Sequence, residues 1–411
     1  MNVLGIIAEY NPFHNGHFYH LNESKKRSGA EFSVAVMSGN FMQRGDVAML
    51  SKWERAKIAV DCGIDLVLEL PFVYACNNAE YFAKGAVQIL NGIACVDTIS
   101  FGSESGEMDK LYEVAHVISY ETPEFKQMLK ESLQKGNSFP KARAEAIRLT
   151  AGEGAEAILN RPNNILAVEY IKQLLMTKSK IAPITIPRKG QDDNSIVLAG
   201  AFSSAAAIRQ SLKEHRDMER IRESVPAACL DNLKKLNIDI NEKLNKLFLL
   251  ICAKILSENE QNLEEIFSAG EGLGNKLKKE IRQSKDLEDL ISRIKSKRYT
   301  RTRIQRLLAH TLLDLGTADF QYLLDNGLNY TRVLAFNDKG AALLKKIKAE
   351  KPRIPVITNI NKQVHDQDEI TRLMRYDILA SDLYNLISGH DIHQNSDFVV
   401  RPYHKGITGY D

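Results

Sequence analysis

Val3-Leu4-Gly5-Ile6-Ile7-Ala8, running straight into Glu9-Tyr10-Asn11-Pro12-Phe13-His14-Asn15-Gly16-His17, decides the fold. Six apolar residues at the start of the chain read as a strand buried on both faces, the kind found in parallel sheets. Pro12 stops that strand. Gly16 allows a close backbone approach, and the spacing predicts a helix from about residue 17 to 27. A strand, a glycine turn and a helix N-terminus together form an anion site suited to phosphate. The imidazoles of His14 and His17 flank the glycine. Donors there that can carry positive charge suit the extra negative charge on a phosphorus under attack.

Outward from this block, strand and helix patterns alternate. Apolar runs at 32–37, 65–70, 96–101 and 181–186 read as further strands. A helix is expected from Ser51 to Cys62, with Glu54 three residues after Ser51 in capping-box spacing. Another is expected over 79–90. Such alternation means a parallel sheet with helices on both faces, and ligands bind beyond the carboxyl ends of its strands. His14, Ser38, Pro71, Gly102 and Arg188 all fall at such ends. Residues 105–178 read as helices, one of them opened by Asn163 or Asn164 as a cap. From about 205 strand patterns nearly vanish. Residues 211–395 carry helical spacing, with one short strand-like exception at 354–358. The class is therefore α/β over 1–210, followed by a mainly α-helical part over 211–411.

Composition excludes several classes. The 411 residues are 44% hydrophobic and 26% charged, an ordinary soluble balance. No apolar run approaches the ~18 residues that span a membrane. No basic stretch precedes the first apolar run, so it does not read as a signal peptide. The five cysteines are odd in number and lack CxxC spacing. That fits reduced thiols in a cytoplasmic protein and argues against a zinc site. A net charge of +3 is silent about nucleic acid; local charge is more telling.

Further clusters carry candidate chemistry. The loop Ser38-Gly39-Asn40-Phe41-Met42-Gln43-Arg44-Gly45-Asp46 follows a strand. Asp46 suits Mg²⁺ or substrate orientation, and Arg44 suits an anion. Lys52 and Arg55 share an early helical face from which they could reach phosphates or stand in solvent. Ser203-Ser204-Ala205-Ala206-Ala207 opens a helix with small residues, leaving N–H groups accessible. Arg188-Lys189 ends a strand where phosphate or adenine would lie. Asn163 or Asn164 could read an adenine edge through its amide, or simply cap. Seven basic residues lie between Arg293 and Arg306, with Tyr299 among them and apolar spacing at Ile304, Leu307 and Leu308. A basic amphipathic helix is either an RNA footprint or a solvated face. The tail at 398–405 is aromatic and basic and either adds to this surface or packs.

The HxGH pattern resembles the nucleotidyltransferase superfamily, which transfers adenylyl groups from ATP and releases pyrophosphate. That resemblance makes His14 and His17 the catalytic pair at the α- and β-phosphates. Ser204 to Arg209 resembles the superfamily's S-S-T-x-I-R element, with Ala205 and Ala206 in place of two hydroxyl residues. Over its whole length the chain resembles the bacterial tRNA(Met) cytidine acetate ligase family, through residues 5–17, 37–45 and 296–300. The resemblance implies a Rossmann-like nucleotidyltransferase domain (1–210) and a mainly helical tRNA-binding domain (211–411). It implies activation of acetate by ATP as acetyl-adenylate, without acetyl-coenzyme A. Acetyl transfer to N4 of the wobble cytidine of elongator tRNA(Met) follows. Mg²⁺ is expected with ATP, but no protein metal-ligand set. His14, His17 and Asp46 are the expected catalytic residues. Expected ATP contacts are Ile7, Ala8, Glu9, Tyr10, Asn11, Pro12, Phe13, His14, Asn15, Gly16, His17, Phe18, Tyr19 and His20, with Gly102, Asn163, Arg188 and Ser204. Lys297, Arg298, Arg301 and Arg303 are the expected tRNA contacts. No membrane or protein partner is indicated. The rival readings are a small-molecule adenylyltransferase of coenzyme biosynthesis and an RNA-binding ATP sensor.

Overall fold

The structure, a computed structural model, describes residues 2–190, 195–215, 217–235, 239–270, 272–362 and 369–406. The apolar runs of the first half form five strands: β1 (Val3–Ala8), β2 (Phe32–Ser38), β3 (Leu66–Leu70), β4 (Thr98–Ser103) and β5 (Ala182–Pro187). They lie parallel in the order β5-β4-β1-β2-β3. β1 is central because every side chain from Val3 to Ile6 is buried. All of Leu66–Leu70 is buried too, which requires cover on both faces of the sheet. Between β2 and β3 the helix Lys52–Asp61 starts as its sequence dictates. The Ser51 hydroxyl accepts from Glu54 N–H, and the Glu54 carboxylate accepts from Ser51 N–H. Among the described residues, no helix is long and apolar enough to cross a membrane.

The second half is mostly helical, with long helices at Ile240–Ser257 and Glu369–Ser388. It also supplies strands that periodicity did not reveal. β6 (Thr331–Asn337) pairs antiparallel with β3 and extends the sheet. β7 (Val356–Ile357) falls within the strand-like stretch at 354–358, and β8 (Tyr403–Lys405) comes from the tail. Both lie parallel to β6. The basic, aromatic tail therefore packs into the sheet. Residue 210 falls inside the helix Ala205–His215, so the sheet draws strands from both sides of it.

A buried ion network joins the two halves. Lys52 Nζ lies 2.8 Å from both Glu69 on β3 and Asp397. Arg332 on β6 binds the same two carboxylates, at 2.6 and 2.7 Å. All four side chains are at most 3% exposed. Charges so placed are tolerable only when paired. This corrects the expectation for Lys52, whose ammonium is spent in the core. Arg55 is likewise fully enclosed. Its guanidinium donates to the carbonyls of Leu50, Glu9, Ser38 and Gly39 and ties the ends of β1 and β2 together.

Candidate active site

The turn after β1 is built by its own histidines. His14 is the N-cap of the helix Asn15–Ser28, and its Nδ1 accepts from Gly16 N–H at 3.0 Å. His17 Nδ1 accepts from His14 N–H at 3.3 Å. The pair forms a capping box in imidazole form, normally made by Ser or Thr and Glu. Gly16 is needed because an added Cβ would lie 2.7 Å from the His14 ring. The glycine thus makes room for the cap, whereas the sequence suggested room for a ligand. The two rings stack with centroids 3.8 Å apart.

This geometry sets the protonation state. Both Nδ1 atoms accept hydrogen bonds, so each neutral ring carries its proton on Nε2 and remains a donor. Burial, with Arg188 and Arg209 nearby, pulls the His14 pKa down to about 3. Burial and then His14 itself hold His17 well below its usual value. Burial and Arg188 take His20 to about 4. The histidines are therefore neutral donors, although the sequence reading allowed them positive charge. Phosphates arriving beside them would raise those values.

A cavity of about 590 Å³ opens over this turn, at the carboxyl ends of β1, β4 and β5. On the β4/β5 flank lie Gly102, Asn163, Arg188 and Lys189, with Lys189 Nζ 4.2 Å from the Tyr19 ring centre. Arg188 donates to Asn163 Oδ1 at 3.2 Å. Ser204 and Arg209 enter from the start of the helix Ala205–His215. On the β2/β3 flank stand Met42, Arg44, Asp46, Asn78 and Phe82. Thr302 and Arg306, from the helix Arg301–Leu312, also reach the cavity. Glu9 lies at the centre, where its carboxylate accepts from Gln43 N–H at 2.6 Å. Burial raises the Glu9 pKa against the opposing pull of Arg209, Arg44 and Arg55.

Comparison with known proteins fits this geometry. Residues 1–397 match the family described as HIGH Nucleotidyl Transferase. A tRNA(Met) cytidine acetate ligase from Caldanaerobacter subterraneus is 42% identical over 390 residues, covering 94% of this chain and 95% of that protein. One from Caldicellulosiruptor saccharolyticus is 43% identical, with 94% of each covered. The chain belongs to the tRNA(Met) cytidine acetate ligase family of HIGH nucleotidyltransferases. The crystal structure of apo Thermotoga maritima TmcAL superposes with a TM-score of 0.91 at 32% identity, covering 99% of this chain and all of that one. The same enzyme bound with alpha-thio ATP superposes at 0.89 and 33% identity, with the same coverage.

Within this family fold the expected residues divide by position. Ile7, Ala8, Glu9, Tyr10, Asn11, His14, Gly16, His17, Tyr19, His20, Gly102, Asn163, Arg188 and Ser204 all line the cavity. Asp46 lines it too and accepts a hydrogen bond from Gln305 on the basic helix. Pro12, Phe13, Asn15 and Phe18 do not line it. Phe13 packs in the core, and Asn15 donates to the carbonyls of Ala201 and Glu223. Phe18 is exposed and Pro12 is buried in the turn. Asn163 is not a cap, since the helix begins at Pro162 after Arg161. Asn164 is buried, and its oxygen accepts from Glu104 and Ser105 N–H. The Ser204 hydroxyl is spent locally, donating to Ser195 O and accepting from Ala207 N–H.

The basic stretch is less uniform than its sequence. Lys297 and Arg298 are exposed. Arg301 makes a bidentate pair with Glu288, and Arg293 pairs with Asp289. Arg303 lies 5.0 Å from the Tyr299 ring centre. Acids just before the run, on the helix Leu287–Ile294, thus neutralise part of a stretch that contains none. Arg209 and Arg306 were missed as site residues. Arg209 was legible as the arginine closing the Ile208-Arg209 pair; Arg306 was hidden inside the basic run.

Proposed function

We propose that this chain activates acetate with ATP as acetyl-adenylate and transfers the acetyl group to N4 of the wobble cytidine of elongator tRNA(Met). The observation that carries this reading is the pair of neutral, stacked imidazoles capping a helix beneath a cavity rimmed by arginines. Membership of the family supplies the substrates. Relatives of matching length named as ligases favour this over a coenzyme adenylyltransferase.

ATP is placed with its adenine toward Gly102, Asn163 and Arg188 and its phosphates over the helix N-termini near His17 and Ala205. His14 and His17 donate through Nε2 to the oxygens on the α-phosphorus, where charge grows as an acetate oxygen attacks. Such catalysis is mainly positioning and electrostatics. The cytidine amine, splayed from an anticodon loop, then attacks the carbonyl of the mixed anhydride and AMP leaves. Lys297 and Arg298, both exposed, offer phosphate contacts, with Arg301 and Arg303 beside them on the same basic stretch.

Among the described residues no cluster of three or more metal-ligating side chains exists. The site nonetheless fits Mg²⁺, because this ion binds nucleotides through phosphate oxygens, waters and one or two carboxylates. Of the cavity carboxylates Glu9 and Asp46, Asp46 would hold it, and the ion would neutralise phosphate charge.

Pyrophosphate exchange into ATP that depends on acetate, followed by transfer of labelled acetate to bulk tRNA, tests the reading. Adenylylation of a phosphorylated metabolite instead would establish the rival enzyme.

A further inference from the structure

Arg306 stands apart from the other cations of the cavity. Arg209 donates to Asn11 O at 2.6 Å and faces Asp46 and Glu9. Arg188 holds Asn163, Lys189 lies over Tyr19, and Arg44 is engaged within the protein. Among the described residues, no acceptor or carboxylate partners the Arg306 guanidinium. The ionisable groups that act on it are Cys76, a buried thiol, Arg303, another cation, and the buried imidazole of His310. Burial pulls its pKa down, Cys76 opposes that shift and Arg303 adds to it. A half-buried guanidinium that lines a cleft without a hydrogen-bond partner suits an anion there.

Its position selects the anion. β1 lies between β4 and β2 in the sheet, so the cavity has two flanks. Gly102, Asn163 and Arg188 occupy the β4/β5 flank, where the nucleotide is placed. Arg306 lines the same cavity, where its backbone meets Gly45 in the loop that follows β2, which also supplies Met42 to the lining. It is held there by contact between backbones. At Gly45 an added Cβ would fall 2.4 Å from Arg306 N, so only glycine lets the loop touch that helix. A guanidinium matches a carboxylate in a two-point fork. Met42 and Phe82 offer apolar surface to a short acyl chain.

We propose that Arg306 binds the carboxylate of acetate, making the β2/β3 flank the acyl-donor subsite; this rests on the ligase reading above. One acetate oxygen bonds to the α-phosphorus as the bond from that phosphorus to the pyrophosphate oxygen breaks. Pyrophosphate leaves with the electron pair, and no proton moves. The acyl group of the anhydride is neutral, so Arg306 loses its ion pair as the intermediate forms, which frees the carbonyl for the amine.

The test is acetate-dependent ATP–pyrophosphate exchange by the full-length protein, with tRNA affinity measured separately. Arg306→Met should raise the KM for acetate by about 30-fold, the scale of a lost charge-assisted bond, with the KM for ATP within twofold. Arg306→Lys, which keeps the charge, should give an intermediate rise and serves if the methionine variant unfolds. An unchanged KM for acetate in both overturns the subsite. So does an equal rise in the KM for ATP, which would make Arg306 a phosphate ligand. Weaker tRNA binding at unchanged KM for acetate would assign it to RNA. Wild-type exchange indifferent to acetate would sink the ligase reading itself, and the subsite with it.

Discussion

At the residue scale the two histidines of the turn do structural work as a cap, and the chemical work proposed for them can be separated from it. His14→Ala removes both the cap and the Nε2 donor. It should cost about 1 kcal/mol of stability and lower exchange by about 10²-fold or more. His14→Asn keeps an oxygen that can accept from Gly16 N–H, since asparagine is among the best N-caps. It should unfold within about 0.5 kcal/mol of wild type yet remain as inactive as the alanine variant. Equal activity of His14→Asn and wild type would leave the imidazole only its capping role. The depressed pKa values make a further prediction. His14 titrates near 3 when folded and near ~6.5 when unfolded. Below pH 6.5 the unfolded chain therefore binds a proton that the folded chain refuses. Stability should fall with pH below 6.5, by up to about 1.4 kcal/mol per unit from this residue alone. Denaturant melts at pH 7.0, 6.0 and 5.0 should show this slope in wild type and a shallower one in His14→Asn.

At the element scale, what the sequence made legible was whatever obeys a single local rule. β1 to β5 are apolar runs closed by turn residues, and the Ser51 capping box forms as its spacing requires. β6 was illegible because Thr331-Arg332-Val333-Leu334-Ala335-Phe336 sits among helical patterns and carries a buried arginine at its second position. Only the distant partners Glu69 and Asp397 make that arginine acceptable in a strand. The site followed the same rule. The turn from Glu9 to His20 announced itself, whereas Arg306 lay in a basic run whose other members include pairs with Glu288 and Asp289 and a contact with Tyr299. No local signal distinguishes them, because what places Arg306 is the loop 42–46 pressed on its helix. That junction depends on Gly45, whose φ of +94° and contact with Gln305 and Arg306 backbone both exclude a side chain. Gly45→Ala should destabilise the protein by about 1–3 kcal/mol. It should lower exchange more than a stability-matched variant at a site remote from the cavity. A calorimetric midpoint and exchange rate equal to wild type would show that the helix is not fixed by this contact.

At the scale of the whole molecule, the catalytic sheet is not the property of the first half. β6 covers the β3 edge, and Lys52 on the helix between β2 and β3 needs Asp397, hundreds of residues away, to share its charge. A fragment ending at residue 210 would expose the β3 edge, a template for intermolecular pairing. It would also leave Lys52 and Glu69 without Arg332 and Asp397. That fragment is expected to be insoluble or unfolded, although it contains the HxGH turn and most of the cavity lining. Asp397→Ala in the intact chain isolates the electrostatic part of the argument. It leaves two buried cations sharing Glu69, and breaking such a network from one side costs about 3–5 kcal/mol. Asp397→Asn keeps the volume and one acceptor and should cost less. Chemical denaturation of the two variants decides the matter. If both unfold at the wild-type midpoint, or if the fragment folds and binds ATP, the ion network is incidental. The nucleotide-binding half would then be an independent unit to which the helical half is merely attached.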